Sequence, residues 1–307
     1  MKFLITGGAG FVGSHIAEEL TKSKRGEVVV FDNLSVGKRK NVPKGCRFIK
    51  GDIRDPKAIT IAAKNVDIIF HNAAFVSIRK SFDMPKEELD NNVYGTLNVL
   101  EAAVKNKVKK FIFASSMAVY GEPGSLPIKE KSSLAPTSPY GLSKLRGEMY
   151  CRAFQNKFGL NITILRYFNI FGVRQTPSDY VGVTTIFINQ ALNRKPLTIL
   201  GNGKQTRDFV WVKDVARANI LAALNPKSKS EIFNIASGRE VTVNQIADSI
   251  NRYLGGKKIH LPATGTEILR ARADIAKAER TLKYKPKGDL LKMLPEIIDW
   301  WENENKK

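Results

Sequence analysis

Thr6-Gly7-Gly8-Ala9-Gly10-Phe11-Val12-Gly13 follows a short apolar run, Phe3-Leu4-Ile5, and opens a helical pattern. Glycine at every third position, Gly7, Gly10 and Gly13, lets the backbone turn tightly, approach a pyrophosphate and pack the helix on the strand. The start of that helix offers free N–H groups and a positive dipole end to phosphate. A glycine run alone says little, because a strand-to-helix turn can need one glycine for steric reasons. Asp32 adds the second half of the pattern. It ends the next apolar run, Val28-Val29-Val30-Phe31, about 20 residues on, where a carboxylate can bind both ribose hydroxyls. The pair predicts a dinucleotide cofactor, and a carboxylate that repels a 2′-phosphate predicts NAD over NADP. Lys38, Arg39 and Lys40 could offset that repulsion but read as a solvated charge run, since Asp32 is nearer the ribose.

Outward from this point, apolar runs alternate with helical patterns. Ile68-Ile69-Phe70, Phe111-Ile112-Phe113 and Ile162-Thr163-Ile164-Leu165 read as buried parallel strands. Helical patterns lie around residues 12–24, 56–64, 85–106 and 139–158. Alternation of this kind predicts an α/β fold, a doubly wound parallel sheet of Rossmann type with a smaller C-terminal substrate lobe. The expected division is a cofactor domain over residues 1–168, to which 208–235 return, and a lobe from 169–207 and 236–307. The strand-like runs Phe209-Val210-Trp211-Val212 and Ile232-Phe233-Asn234-Ile235 carry that return, and helical patterns at 242–254 and 288–304 suit the lobe.

Composition removes several classes. Of 307 residues, 43% are hydrophobic and 26% charged, a balance that can bury a core. No apolar run reaches the roughly 18 residues of a membrane span, and Met1-Lys2-Phe3-Leu4-Ile5-Thr6 does not read as a signal peptide. Cys46 and Cys151 stand far apart, and His15, His71 and His260 are scattered, so neither a disulfide framework nor a zinc cluster is expected. A cytoplasmic, metal-independent protein follows. Fifty Lys and Arg against 29 Asp and Glu leave a net charge of +21, a field that attracts polyanions and can steer a charged nucleotide into a cleft. The basic residues form no stripe with interleaved aromatics, so a solvated surface is expected rather than nucleic-acid binding.

Tyr140-Gly141-Leu142-Ser143-Lys144 sets a phenol and an ammonium four apart on one helix face. Ser138 reads as the N-cap and Pro139 as the first turn. Upstream, Ser115-Ser116 end a strand at the carboxyl edge, where open α/β sheets bind ligands. Lys144 and an oxidised nicotinamide both favour phenolate, which lowers the tyrosine toward a working base. Ser116 can share the same substrate hydroxyl.

On these residues the chain resembles the extended short-chain dehydrogenases/reductases, in their NAD-dependent nucleotide-sugar epimerase branch. TGGAGFVGSH, DNLSVG, GDIRD, HNAA, NNVYGTLNVL, FASSMAVYGE, SPYGLSK, LRYFNIFG, QTRDFVWVKDVA and IFNIASG run in order from Thr6 to Gly238. The resemblance implies cofactor contacts at Gly7, Gly10, Phe11, Val12, Gly13, Asp32, Asn33, Leu34, Ser35, Gly37, Asp52 and Ile53. It extends them to Ala73, Ala74, Val76, Asn91 and Ser115. It implies catalysis by Ser116, Tyr140 and Lys144, with Tyr167 and Phe168 near the nicotinamide. Asn169 and Arg207 match residues for the substrate diphosphate, and Val183, Thr198, Leu200, Arg270 and Ala271 complete the substrate set. Without the motif, Asn169 reads as a turn cap and Arg207 as a surface ion pair with Asp208. A homodimer through the helices near 85–106 and 139–158 is also implied.

Chemistry narrows the reaction. Dehydratases and decarboxylases of this kind usually carry acids in the two positions after the catalytic serine or threonine; here Met117-Ala118 cannot move a proton. Reversible oxidation remains, giving 4-epimerisation of a UDP-sugar (UDP-glucose/UDP-galactose and the N-acetyl forms) through a transient 4-keto intermediate. Ser77-Ile78-Arg79-Lys80-Ser81 resembles the stretch where UDP-glucuronate 4-epimerases keep an arginine, the alternative substrate; Arg79 also reads as solvated. A non-catalytic NAD-binding regulator is the alternative class, opposed by the presence of Ser116, Tyr140 and Lys144. One segment departs from the family. Its Arg-x-Gly-Asp becomes Thr264, Thr266 and Glu267 when aligned on Asp274, leaving Arg270 or Arg272 as the second diphosphate cation or as solvated charges. In the same register Ala271 replaces a ring that narrows the pocket, which predicts room for an acetamido group.

Overall fold

The computed structural model describes residues 1–175, 182–263 and 268–305. Its first half runs β1 (Lys2–Thr6), α1 (Phe11–Lys22), β2 (Glu27–Asp32), β3 (Arg47–Lys50), α2 (Pro56–Ala62) and β4 (Ile68–His71). Then come α3 (Ile78–Asp83), α4 (Pro85–Leu89), a π-helical turn over Asp90–Tyr94, α5 (Gly95–Lys105), β5 (Lys110–Ser116), α6 (Pro139–Phe158) and β6 (Ile162–Tyr167). The second half holds β7 (Asn169–Phe171), α7 (Val183–Leu192), β8 (Leu197–Leu200), β9 (Thr206–Trp211), α8 (Val212–Leu224) and β10 (Ile232–Ile235). It closes with β11 (Glu240–Thr242), α9 (Val243–Leu254), β12 (Lys258–Leu261), α10 (Ala276–Leu282) and α11 (Leu290–Asn305).

Seven strands form one parallel sheet in the order β3-β2-β1-β4-β5-β6-β10. The order reverses between β1 and β4, the switch point at which doubly wound sheets open a crevice beyond their strand ends. Both faces of the sheet are buried, which is why its strands are almost continuously apolar. Strand alternation divides them: Phe3, Ile5, Val28 and Val30 pack with Ile16, Ala17, Val215 and Ala216 of α1 and α8. Leu4, Val29, Phe31 and Ile69 pack with Ile59, Val99, Ala103 and Cys151 on the other face.

The remaining strands form β11-β9-β7 and β12-β8. With α7, α9 and α11 they enclose a separate cluster that includes Phe171, Phe187, Ile188, Ile246, Leu294 and Trp301. Of the stretch 208–235 expected to return to the cofactor domain, α8 packs against the main sheet and β10 joins it, while Phe209-Val210-Trp211 lies outside that sheet. β10 holds the free edge of β6, so β9 pairs instead with β7 and β11. Its side chains then face two ways, Phe209 into the second cluster and Val210 into the first. The expected helix over 85–106 is α4 and α5 joined by the π-helical turn. The widened turn aims Asn92 at the backbone of Phe75, with Oδ1 accepting from its N–H at 2.7 Å and Nδ2 donating to its carbonyl at 3.0 Å. π-turns of this kind collect at functional sites.

Candidate active site

The first turn of α1 forms an anion cradle. Gly10 caps it with no side-chain hydrogen bond, no acid lies in the first turn, and the leading amides of Phe11 and Val12 are left for a ligand. Gly7 has φ +69°, and a Cβ there would come within 2.7 Å of the Ala73 nitrogen. A Cβ on Gly13 would come within 2.3 Å of the Gly7 carbonyl oxygen. These two glycines are therefore set by close backbone approach. Gly37 presses on Ala9 in the same way. Asp32, at the end of β2, is nearly buried and accepts from Ala9 N–H at 2.9 Å and Leu34 N–H at 2.8 Å. Leu34 takes a left-handed φ of +63° to make that contact. Asn33 turns back to accept from Ser35 N–H and donates to Asp52 at 2.9 Å. Hydrogen bonds from Arg54 hold Asp52 down at about 2. Beside Gly7, Asn72 carries a buried Nδ2 with no hydrogen-bond partner among the described residues. Uncapped amides, glycines that admit a close backbone and a spare buried donor fit a dinucleotide pyrophosphate, with Asp32 placed for the ribose.

The serine, tyrosine and lysine come together at the carboxyl end of β5. Ser138 Oγ accepts from Gly141 N–H at 3.1 Å and starts α6 at Pro139, so Tyr140 and Lys144 lie one turn apart in the first turns. Ser116 hydrogen-bonds the Tyr140 hydroxyl and accepts from Ala118 N–H at 3.2 Å. Lys144 is buried under the sheet edge, donating Nζ to the Ala114 carbonyl at 2.9 Å, 5.5 Å from the Phe113 ring centroid and 5.9 Å from that of Tyr140.

Burial dominates the electrostatics here. It pushes the Tyr140 phenol up to about 12, with Glu88 adding to the rise and Ser116 opposing it. It also pulls the Lys144 ammonium down to about 8, against Glu88 and Cys151. Nζ is held by the Ala114 carbonyl, and the cost of desolvating a phenolate dominates at Tyr140.

Ser115 faces away from Ser116, as alternation requires, and donates to Glu148 at 2.6 Å. Tyr167 donates to Asn219 on α8 at 2.9 Å, which leaves its ring against the sheet. Val76 is exposed, while Ala73 and Ala74 are half-buried beyond β4. Asn91 folds back on the Glu87 carbonyl, and Ile53 is buried beneath Gly95. Arg79 is exposed on α3.

On the far side of the cleft, Asn169 Nδ2 lies 3.4 Å from Met117 Sδ and 3.2 Å from the Asp208 carbonyl. Phe168 is buried beside Val119 and Tyr120. Arg207 donates to the carbonyls of Thr206 and Ile268. Asp208 is not its surface partner: it is fully buried and accepts from Ser237, Gly238 and Ala273. Val183 starts α7, and Thr198 and Leu200 lie on β8, where Thr198 pairs with Gln190. Thr264, Thr266 and Glu267 lie outside the described residues. Arg270 forks onto Glu240 from an exposed position, whereas Arg272 has a buried Nε with no hydrogen-bond partner among the described residues. Ala271 has no accessible surface and packs among Tyr120, Phe168 and Ala236.

Sequence reading missed the groups behind the cleft: Glu88, Asn92, the Glu148–Arg166 pair and Asp208. Of these, Glu148 alone carried a signal, as the next same-face position after Tyr140 and Lys144 on α6.

Comparison with known proteins agrees with this geometry. The NAD dependent epimerase/dehydratase family matches residues 3–236. A Methanocaldococcus jannaschii protein with the provisional name UDP-glucose 4-epimerase is 42% identical over 99% of each chain. The structure of UDP-glucose 4-epimerase from Thermotoga maritima with UDP-glucose superposes with a TM-score of 0.94 at 35% identity, covering 99% of this chain and 100% of that one. UDP-N-acetylglucosamine 4-epimerase from Methanobrevibacter ruminantium, in complex with UDP-N-acetylmuramic acid, gives 0.92 at 35% identity, covering 99% and 98%.

Proposed function

The chain belongs to the NAD dependent epimerase/dehydratase family, and from that premise we propose that it interconverts UDP-glucose and UDP-galactose, and their N-acetyl forms, by 4-epimerisation. The observation that carries the reading is the Ser116–Tyr140–Lys144 arrangement beside the glycine cradle, with Met117-Ala118 as the next two residues. Proton-moving groups are thus present for one hydroxyl and absent for a second bond cleavage.

NAD, when bound, supplies a reversible hydride acceptor; the cradle and Asp32 would hold it. The chain's own residues handle the proton. Tyr140 Oη takes it from the sugar's 4-hydroxyl as the alcohol becomes a ketone, and returns it as the ketone becomes the epimeric alcohol. Ser116 fixes the same oxygen by hydrogen bonding. Lys144 adds a positive field that favours phenolate, and a cationic nicotinamide acts in the same sense. Because substrate and product are isomers, no net oxidation remains. Arg207 and Arg272 are the cations proposed for the diphosphate, the latter supported by a buried Nε that has no hydrogen-bond partner among the described residues.

The N-acetyl forms rest on the small side chain of Ala271, in the position where relatives carry a ring, with Met117 and Ile268 packed against its cluster. Tyr94, Leu142 and Met149, exposed on the π-helical turn and α6, support pairing with a second copy. The test incubates the purified protein separately with UDP-glucose, UDP-N-acetylglucosamine and UDP-glucuronate and resolves products by NMR. Expected are the 4-epimers of the first two, with NAD among the nucleotides released on denaturation. A dehydrated or decarboxylated product, or turnover of glucuronate alone, would overturn the reading.

A further inference from the structure

A carboxylate buried behind the proposed catalytic pair has no part in binding or proton transfer as described so far. Glu88, on α4, is 2% exposed. Its Oε1 accepts from Asn92 Nδ2 at 2.6 Å and, in a short hydrogen bond, from Ser143 Oγ. Ser143 sits in α6 between Tyr140 and Lys144, so the carboxylate is pinned to the turn that carries both. Asn92 also holds the Phe75 backbone on both sides, which ties this anchor to the chain leaving β4.

Lys144 needs a counter-charge. It is 6% exposed, and its hydrogen bond goes to a neutral carbonyl. Two groups favour its charged form, Glu88 first and Cys151 second. Burial drives the Cys151 thiol well up, so it stays neutral. His71, at the end of β4, is neutral as well, pulled down to about 3 by burial and by Lys144. The charge on Lys144 is thus answered by Glu88.

We propose that Glu88 is a positioning residue for this reaction: fixed by Ser143 and Asn92, its carboxylate keeps the buried Lys144 ammonium protonated and restrains Tyr140 from ionising early. The proposal rests on the epimerase reading for its consequence in turnover, but not for its electrostatics. Burial raises the Glu88 carboxyl above the usual carboxylate range; the groups facing it, Ser143, Lys144 and Arg146 on α6 and Asn92 on the π-helical turn, oppose that rise. Ser116, at the end of β5, faces Tyr140 from the other side. Removing the negative charge destabilises ammonium and relieves phenolate, so both groups lose protons at lower pH.

Glu88→Gln keeps an acceptor oxygen for Ser143 and deletes the charge. Lys144 is followed by NMR of lysine labelled at Cε, its signal identified by loss in Lys144→Met. Its titration in Glu88→Gln is expected to move down by about one pH unit, the size ordinary for a nearby charge. In turnover, both limbs of the kcat–pH profile move toward acid together while KM changes little. A merely structural role would lower kcat or melting temperature without sliding the profile. An unmoved Lys144 titration overturns the proposal. Should Glu88→Gln not fold, Ser143→Ala serves: it removes one donor to the carboxylate, which then binds a proton more readily, and the Lys144 titration is expected to move in the same direction by less. No movement in that variant also overturns it. A protein without epimerase activity would instead refute the proposed function, since the lysine titration is read independently of turnover.

Discussion

Glu148→Gln tests the scaffold that holds the two serines at the end of β5. Glu148 on α6 and Arg166 on β6 are both fully buried. The guanidinium forks onto the carboxylate, Nε to Oε1 at 2.8 Å and Nη2 to Oε2 at 2.6 Å, and Ser115 adds a third donor at 2.6 Å. Arg166 Nη1 also donates to the Tyr120 hydroxyl at 2.9 Å, and that hydroxyl donates on to Asn234. Breaking one side of a buried pair leaves an uncompensated charge and costs roughly 3–5 kcal/mol. Glutamine keeps one acceptor oxygen, so the lower end, about 3 kcal/mol, is expected. At roughly 2–4 °C per kcal/mol for a large domain, that is a fall of about 6–12 °C in Tm. Scanning calorimetry and urea unfolding measure it. Glu148→Leu combined with Arg166→Met should be more stable than Glu148→Gln alone, because a buried pair exchanged for apolar groups is close to neutral. A single variant within about 1 kcal/mol of the parent would refute the reasoning, as would a double variant weaker than the single.

Three further outcomes follow from the site. Tyr140→Phe removes the acid–base oxygen alone, so it should keep its Tm and bound NAD while losing about a hundredfold or more in kcat; near-normal turnover would put the base elsewhere. Gly13→Ala forces a Cβ within 2.3 Å of the Gly7 carbonyl oxygen and should weaken NAD binding in calorimetry, whereas an unchanged dissociation constant would mean that the close approach of α1 is not needed. Arg272→Ala should raise KM for the UDP-sugar by about tenfold or more, since a lost charged hydrogen bond costs roughly 1.5–3 kcal/mol. Arg270→Ala, which frees Glu240 at an exposed position, should change KM far less, and the reverse order would move the clamp to Arg270.

The parallel sheet, the cradle helix and the Tyr140–Lys144 face were legible because each is written in neighbouring residues. Apolar runs mark buried strands, glycine spacing marks the tight turn, and a four-residue interval marks one face of a helix. Short elements were not legible. β3, β7, β8, β11 and β12 have three or four residues each, too few for a period to show, and which strand β9 joins depends on which edge β10 has already taken. The side chains behind the cleft were silent for a different reason. Glu88 meets Ser143 across 55 residues of chain, and Tyr120 meets Asn234 across 114; no local pattern encodes such a meeting. Nor could the sequence show how strongly burial raises Tyr140, or that Ala271 is enclosed by its own neighbours. Local order comes from backbone geometry and hydrophobic periodicity, both properties of adjacent residues, whereas desolvation and charge pairing depend on what the folded chain brings alongside, and that exists only in three dimensions.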